Sequence, residues 1–255
     1  MMTNEVIVTV QDGVMVVTLN RPEAKNAANK ALAFGVAAAM DELDSNDDIR
    51  VAILTGAGGT FCSGMDLKAF IAGELPVVEG RGFAGLCEKP PRKPLIGAVE
   101  GYALAGGCEL AMSCDLLVVS EEAKFGIPEA KLGLAAGAGG LLRFPRQIPY
   151  RVAMELALTG ELFSAERAYE LGFVNRLTAS GEALIEAKKL AAKIAANGPL
   201  AVATTKQVIV ESQDWSITEM FARQQPLLER VLSSEDAREG ATAFAQKRAP
   251  VWSGR

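Results

Sequence analysis

Short β-branched and apolar runs alternate with helix-period segments through the first half of the chain, and after Gly160 the strand signals nearly vanish. No other feature limits the possible folds as much. Residues 6–10 and Val14–Leu19 flank Gln11-Asp12-Gly13, and Asp-Gly between two such runs marks a hairpin. Residues 29–43 are Ala-rich and place Leu32, Val36, Met40 and Leu43 at helical spacing before a polar turn. Residues 51–54, Leu95–Val99 and residues 116–119 are short continuous apolar runs, the pattern of strands covered on both faces. Between them Asp66 stands as the N-cap of a short helix. The Gly-, Pro- and charge-rich stretch 73–94 carries a predicted helix over residues 77–87. Residues 101–107 read as a loop and 107–114 as a helix of about two turns.

Beyond Gly160, residues 164–171, 182–196, 200–211, 217–232 and 235–247 read as helices, and Asn197-Gly198-Pro199 is a stop-and-restart signal between two of them. Alternating strand and helix points to an α/β layer architecture. The expected organisation is an α/β core over residues 1–195 carrying the site, then a helical C-terminal module over residues 196–255.

The 255-residue chain contains no histidine. That excludes Ser-His-Asp and Cys-His catalysis and any His-ligated zinc or haem. Proton transfer must rest on carboxylates, Lys, Tyr, Cys or a cofactor. The four cysteines, Cys62, Cys87, Cys108 and Cys114, show no C-x-x-C spacing and read as buried thiols in a reducing compartment. With 26 Lys+Arg against 31 Asp+Glu the formal charge is −5, which argues against nucleic acid as the main ligand. Residues 1–10 lack the basic and apolar pattern of a leader, and no apolar run approaches the roughly 18 residues of a spanning helix. The expectation is a soluble, cytoplasmic protein without membrane partners.

Several familiar motifs fail. Gly56-Ala57-Gly58-Gly59-Thr60-Phe61 follows a strand, but Phe61 stands where a dinucleotide fingerprint needs glycine. No G-x-x-x-x-G-K-[ST] occurs, and Ser63 lacks the flanking glycines of a nucleophile elbow.

Three segments hold together instead. Phe61-Cys62-Ser63-Gly64-Met65-Asp66-Leu67-Lys68 leads from a strand into a helix. Gly101-Tyr102-Ala103-Leu104-Ala105-Gly106-Gly107-Cys108-Glu109 brings glycines to a helix N-terminus, where free N–H groups favour negative charge. Phe125-Gly126-Ile127-Pro128-Glu129 precedes the loop 133–140. Singly, each has a plain structural explanation: Glu109 and Glu129 both stand in the first turn of a helix, and Asp66 is a cap.

In this order and spacing, with Asn20-Arg21-Pro22, Asn26-Ala27 and the terminal Ala243-Phe244-Ala245-Gln246-Lys247-Arg248, the segments resemble the enoyl-CoA hydratase (crotonase) superfamily over essentially the whole chain. The resemblance implies a spiral of ββα turns and chemistry on an acyl-CoA thioester. The backbone N–H groups of Met65 and Gly106 would form an oxyanion hole. Glu109 would deprotonate water and Glu129 would protonate the alpha carbon. Ser63, Gly64, Asp66, Leu67, Lys68 and Gly137 would bind substrate, with Phe244 and Lys247 as weaker candidates.

The implied reaction is hydration of a 2-enoyl-CoA to a 3-hydroxyacyl-CoA. The alternatives are a carnitinyl-CoA-like dehydratase, an isomerase, or an acyl-CoA-binding paralogue without turnover. No metal or redox cofactor is implied, coenzyme A being part of the substrate. Relatives form homotrimers or dimers of trimers. The chain departs from the family pattern at Ala136, at Ala105, where glycine is common, and at Met65, which is bulkier than the frequent alanine.

Overall fold

In the computed structural model, which describes residues 5–255, Asp12 and Gly13 take φ values of 52° and 74° and close a two-residue turn. Residues 1–4, part of the stretch read for a leader, lie outside the described residues. That turn joins β1 (Val6–Gln11) to β2 (Val14–Leu19) in antiparallel register, with Gln11 opposite Val14. A left-handed pair matches the twist of the strands it connects. Next comes α1 (Lys30–Ser45), whose N-cap Asn29 accepts the Leu32 N–H at 2.9 Å.

The chain continues through β3 (Val51–Gly56), α2 (Leu67–Ile71), the short hairpin β4 (Val77–Val78) and β5 (Gly82–Phe83), β6 (Leu95–Val99), β7 (Tyr102–Leu104) and α3 (Gly106–Met112). Then follow β8 (Leu116–Ser120), β9 (Lys124–Gly126), a 3-10 turn over Pro128–Leu132, α4 (Gly140–Gln147) and α5 (Tyr150–Thr159). The last elements are β10 (Phe163–Ser164), α6 (Ala165–Glu170), β11 (Arg176–Thr178), α7 (Ala183–Ala195), α8 (Pro199–Glu211), α9 (Met220–Leu232) and α10 (Glu235–Ala245).

Six strands form the main sheet in the order β1-β2-β3-β6-β8-β11, parallel from β2 onward. Its central strands β3, β6 and β8 are buried on both faces, and alternate residues divide between two cores. Ala52, Leu54, Leu95, Val99, Leu117 and Val119 face the larger core, closed by α1 and α3. Val51, Ile53, Ile96, Ala98 and Val118 pack against Ala183, Ala187 and Ala191 of α7. Alanines spaced four apart let α7 lie close on the sheet.

β3, β6 and β8 are each followed by a short extended segment in a second layer. Cys62 bridges Ala103 in parallel, and β7 pairs with β9, which pairs with β10. The Cys62 N–H donates to Tyr102 O, Leu104 N–H to Cys62 O and Ala105 N–H to Gly126 O, so three successive turns of the chain stack in register. This is the spiral of ββα turns that the resemblance implied, with helices at its C-terminal end.

Two expectations need correction. Residues 77–87 form the β4–β5 hairpin, because Gly80, Gly82, Ala84 and Gly85 all sit at positive φ and cannot propagate a right-handed helix. Gly85 lies so close to α1 that a Cβ there would overlap the Ala33 carbonyl oxygen. The predicted loop 101–107 contains β7, a strand held by its neighbours in the second layer.

The C-terminal helices are tied back to the rest by side chains. Lys206 of α8 reaches Asp115 at 2.6 Å, and the Trp252 indole N–H donates to Ala196 O at 2.8 Å. Among the described residues no helix is long and apolar enough to cross a membrane.

Candidate active site

The motif residues all stand where a second-layer strand ends and a helix begins. Met65 leaves the first such turn, Gly106 the second and Glu129 the third. Stacking the turns therefore gathers residues some sixty positions apart at one end of the layer.

The early motif builds the support for Met65. The Asn26 side-chain amide donates to Ala57 O at 2.9 Å and Thr60 O at 2.6 Å, while its oxygen accepts Arg21 N–H at 2.8 Å. Ala28 then pairs alongside Met65: its N–H donates to Gly64 O at 2.7 Å and its carbonyl accepts the Asp66 N–H at 2.9 Å. The Asp66 carboxylate caps α2 through the N–H groups of Lys68 and Ala69 and accepts from Arg21 Nη2 at 2.9 Å. Burial works against its ionisation, but Arg21 and the two amides hold its pKa below the usual carboxylate range. Asp66 is thus committed to the framework by its side chain. Ser63 donates its N–H to Lys25 O at 3.0 Å, whereas Leu67 and Lys68 are exposed on α2.

Gly64 meets the second motif directly. A Cβ on it would lie 2.9 Å from Ala105 Cβ, 3.0 Å from Leu104 O and 3.3 Å from Gly106 N. The Met65 and Gly106 segments are therefore in contact. The N–H groups around them, those of Ala28, Asp66, Leu104, Ala105 and Cys108, donate to backbone carbonyls. Gly106 begins α3, where the first turn of N–H groups has no intrahelical acceptor. Ala105 enters the helix at φ 51° and ψ −127°, a conformation ordinarily left to glycine. Gly107 backs onto the Cys62 carbonyl so tightly that no side chain fits.

Glu109, one turn into α3, is 3% exposed, and its Oε1 accepts the Gly140 N–H at 2.8 Å. Its pKa is pushed up from 4.5 to about 7, chiefly by burial and further by the charge of Glu129. The amides of Gly140 and Ala138 and the Arg143 guanidinium oppose the rise. Glu129 sits behind Pro128 in the 3-10 turn, and burial raises its pKa as well. Its Oε2 is buried without a hydrogen-bond partner among the described residues. A buried carboxyl that titrates at about 7, beside a second whose pKa burial also raises, is suited to exchanging a proton with a bound molecule.

The loop amide that donates to Glu109 is that of Gly140, and the nearby Ala138 amide opposes the rise in its pKa. Gly137 stands beside them with its backbone open, since a Cβ there would meet nothing closer than 3.8 Å. Phe244 and Lys247 are exposed at the end of α10.

The sequence reading missed two contributors. The Phe83 ring presses on Gly106, where a Cβ would overlap it, and so walls the start of α3. Arg143 packs across the 133–140 loop, its Nη2 donating to Cys87 O at 2.6 Å and its Nη1 to Ala138 O at 3.5 Å. The signal for Phe83 was its place between Gly82 and Gly85, in a segment wrongly read as helix. For Arg143 it was a cation one turn beyond a glycine-rich loop.

Residues 9–255 match the family model described as enoyl-CoA hydratase/isomerase. The chain is 43% identical over 252 residues to the enoyl-CoA hydratase EchA19 of Mycobacterium tuberculosis (strain ATCC 25618 / H37Rv), covering 94% of this chain and 93% of that one. It is 38% identical over 262 residues to the carnitinyl-CoA dehydratase of Proteus mirabilis (strain HI4320), covering all of both. The crystal structure of a probable enoyl-CoA hydratase/isomerase from Mycobacterium abscessus superposes with a TM-score of 0.96 at 61% identity, covering 100% of each chain.

Proposed function

Because this chain belongs to the enoyl-CoA hydratase/isomerase family, we propose that it adds water across the double bond of a 2-enoyl-CoA thioester to give the 3-hydroxyacyl-CoA. In this reading the thioester carbonyl accepts from the Met65 and Gly106 N–H groups, which face the negative charge that builds on that oxygen as the beta carbon is attacked. Donors placed for such charge are each worth ~10²–10³ in rate. Glu109 takes a proton from water while the water oxygen bonds to the beta carbon. Glu129 delivers a proton to the alpha carbon, so one water supplies both added groups and the two carboxyls exchange protonation states. No histidine is needed, in agreement with the composition.

The observation that carries the reading is the pair of carboxyls whose pKa values burial raises, Glu109 held by a loop amide and Glu129 with a buried oxygen that has no partner among the described residues. A second reading, dehydration of a polar 3-hydroxyacyl-CoA, uses the same groups in reverse. It is favoured by the relatives named carnitinyl-CoA dehydratase. We further propose that the helices after residue 195 mediate assembly into trimers or dimers of trimers, supported by the exposed Ile217, Phe221, Leu232 and Phe244, and that the protein acts in the cytoplasm.

A hydration assay across a chain-length panel of 2-enoyl-CoA thioesters, including carnitinyl-CoA in the reverse direction, tests the proposal. Glu109→Gln and Glu129→Gln should each lower turnover by at least ~10²–10⁴, the usual worth of a general acid or base. Near-normal turnover in either variant overturns the assignment. Acyl-CoA binding without turnover of any panel member favours a non-catalytic paralogue.

A further inference from the structure

We propose that Arg143 is the positioning residue for Glu109: its guanidinium pins the 133–140 loop to the segment after β5 and so holds the loop amides that orient the carboxylate. The inference rests on the hydratase reading for its catalytic consequence, but the geometry stands by itself.

Arg143 is half-buried in α4 and makes no ion pair among the described residues. Its fork spends two donors on carbonyls from different parts of the chain, Cys87 O at 2.6 Å and Ala138 O at 3.5 Å. The loop is built around this side chain, since a Cβ on Gly139 would overlap Arg143 Nη1. A partly desolvated guanidinium bound only to carbonyls lacks a compensating charge, and the carboxylate whose field it meets is Glu109. Ala138 accepts from the guanidinium through its carbonyl, and its own amide, close to Glu109, opposes the rise in that carboxyl's pKa. Gly140, whose N–H donates to Glu109, is three residues before Arg143 at the start of the same helix. One side chain thereby fixes both amides and supplies a cation to the same carboxylate. Lysine would keep a point charge but not the planar fork that reaches two carbonyls at once.

Glu109 is also faced by Glu129 from the 3-10 turn, which opposes the cation, and by the thiols of Cys87 and Cys108, which stay protonated under the same burial. Removing the guanidinium therefore leaves the Glu129 charge without its counterweight.

The test compares wild type with Arg143→Lys and Arg143→Gln on two independent readouts. The first is the pH dependence of kcat/KM. The second, in protein without substrate, is the Glu109 carboxyl band in infrared difference spectra, identified by its loss in Glu109→Gln. The expected result for Arg143→Gln is a roughly tenfold or larger fall in kcat with KM changed less than threefold. Its Glu109 midpoint should move to higher pH by several tenths of a unit or more in both readouts. Arg143→Lys should restore the midpoint but only part of kcat. An unmoved carboxyl midpoint in folded Arg143→Gln overturns the proposal, as does full activity in that variant. If only Arg143→Lys folds, wild-type kcat in it overturns the proposal equally. A shifted carboxyl band in a protein whose wild type hydrates no thioester would leave the Arg143–Glu109 coupling standing and defeat the hydratase reading instead.

Discussion

Replacing Glu109 with glutamine should abolish the chemistry and strengthen the fold, by an amount that depends on pH. In the folded chain this carboxyl is 3% exposed and titrates at about 7, against 4.5 for the ordinary group. Below pH 4.5 it is protonated in both folded and unfolded chains and its ionisation costs nothing. Between 4.5 and about 7 the folded state keeps a proton the unfolded state has released, so stability falls as pH rises. Above about 7 the carboxylate is charged in both states and the full cost persists. At about 1.4 kcal/mol for each tenfold change in acidity, that cost is about 3 kcal/mol.

Glutamine keeps the shape, accepts the Gly140 N–H through its amide oxygen and carries no charge. Glu109→Gln should then exceed wild type by up to about 3 kcal/mol at pH 8.5 and by about 1 kcal/mol at pH 5. For a chain of this size each kcal/mol moves Tm by roughly 2–4 °C, so a gain of roughly 6–12 °C is expected at pH 8.5. The comparison belongs at one fixed protein concentration, because self-association would shift both midpoints. A variant less stable than wild type at pH 8.5, or a difference that does not change between the two pH values, refutes the reasoning.

The same carboxyl should give kcat/KM an acidic limb that rises through about pH 7, since Glu109 must be ionised to accept a proton from water; a rate flat from pH 5.5 to 8.5 would argue against it as the base. Ala105→Gly should raise denaturant stability by about 1 kcal/mol, removing ~1–3 kcal/mol of strain at φ 51° while adding a smaller unfolded-chain entropy. Gly107→Ala, in contrast, drives a Cβ into the Cys62 carbonyl and should lose more than about 3 kcal/mol or fail to fold, as seen in soluble yield and unfolding midpoint. Native protein at pH 8 should react with a thiol reagent at none of its four cysteines and at all four in denaturant. All are buried, and burial pushes the Cys62 and Cys87 thiols to about 12.

Much of this molecule is written in local sequence. The Asp12-Gly13 hairpin, the Asn29 and Asp66 caps, the doubly buried strands β3, β6 and β8 and the alanine face of α7 each follow from turn chemistry or periodicity within about fifteen residues. The two glutamates were singled out by the family resemblance, and the absence of histidine agrees with proton transfer by carboxyls.

The second layer was not legible, for a physical reason. Three-residue strands such as Tyr102–Leu104 and Lys124–Gly126 have no period of their own and exist because they pair with each other, the first also with Cys62 and the second with β10. The β4–β5 hairpin likewise depends on a run of left-handed residues seated against α1. That layer determines which ends of the chain meet, and with it the contact of Gly64 with Gly106, the Phe83 ring and the reach of Arg143. Sequence alone determined that no imidazole could carry a proton here. Only the tertiary structure, by burying Glu109 beneath the Gly140 amide, decided that its carboxyl titrates at about 7 rather than 4.5.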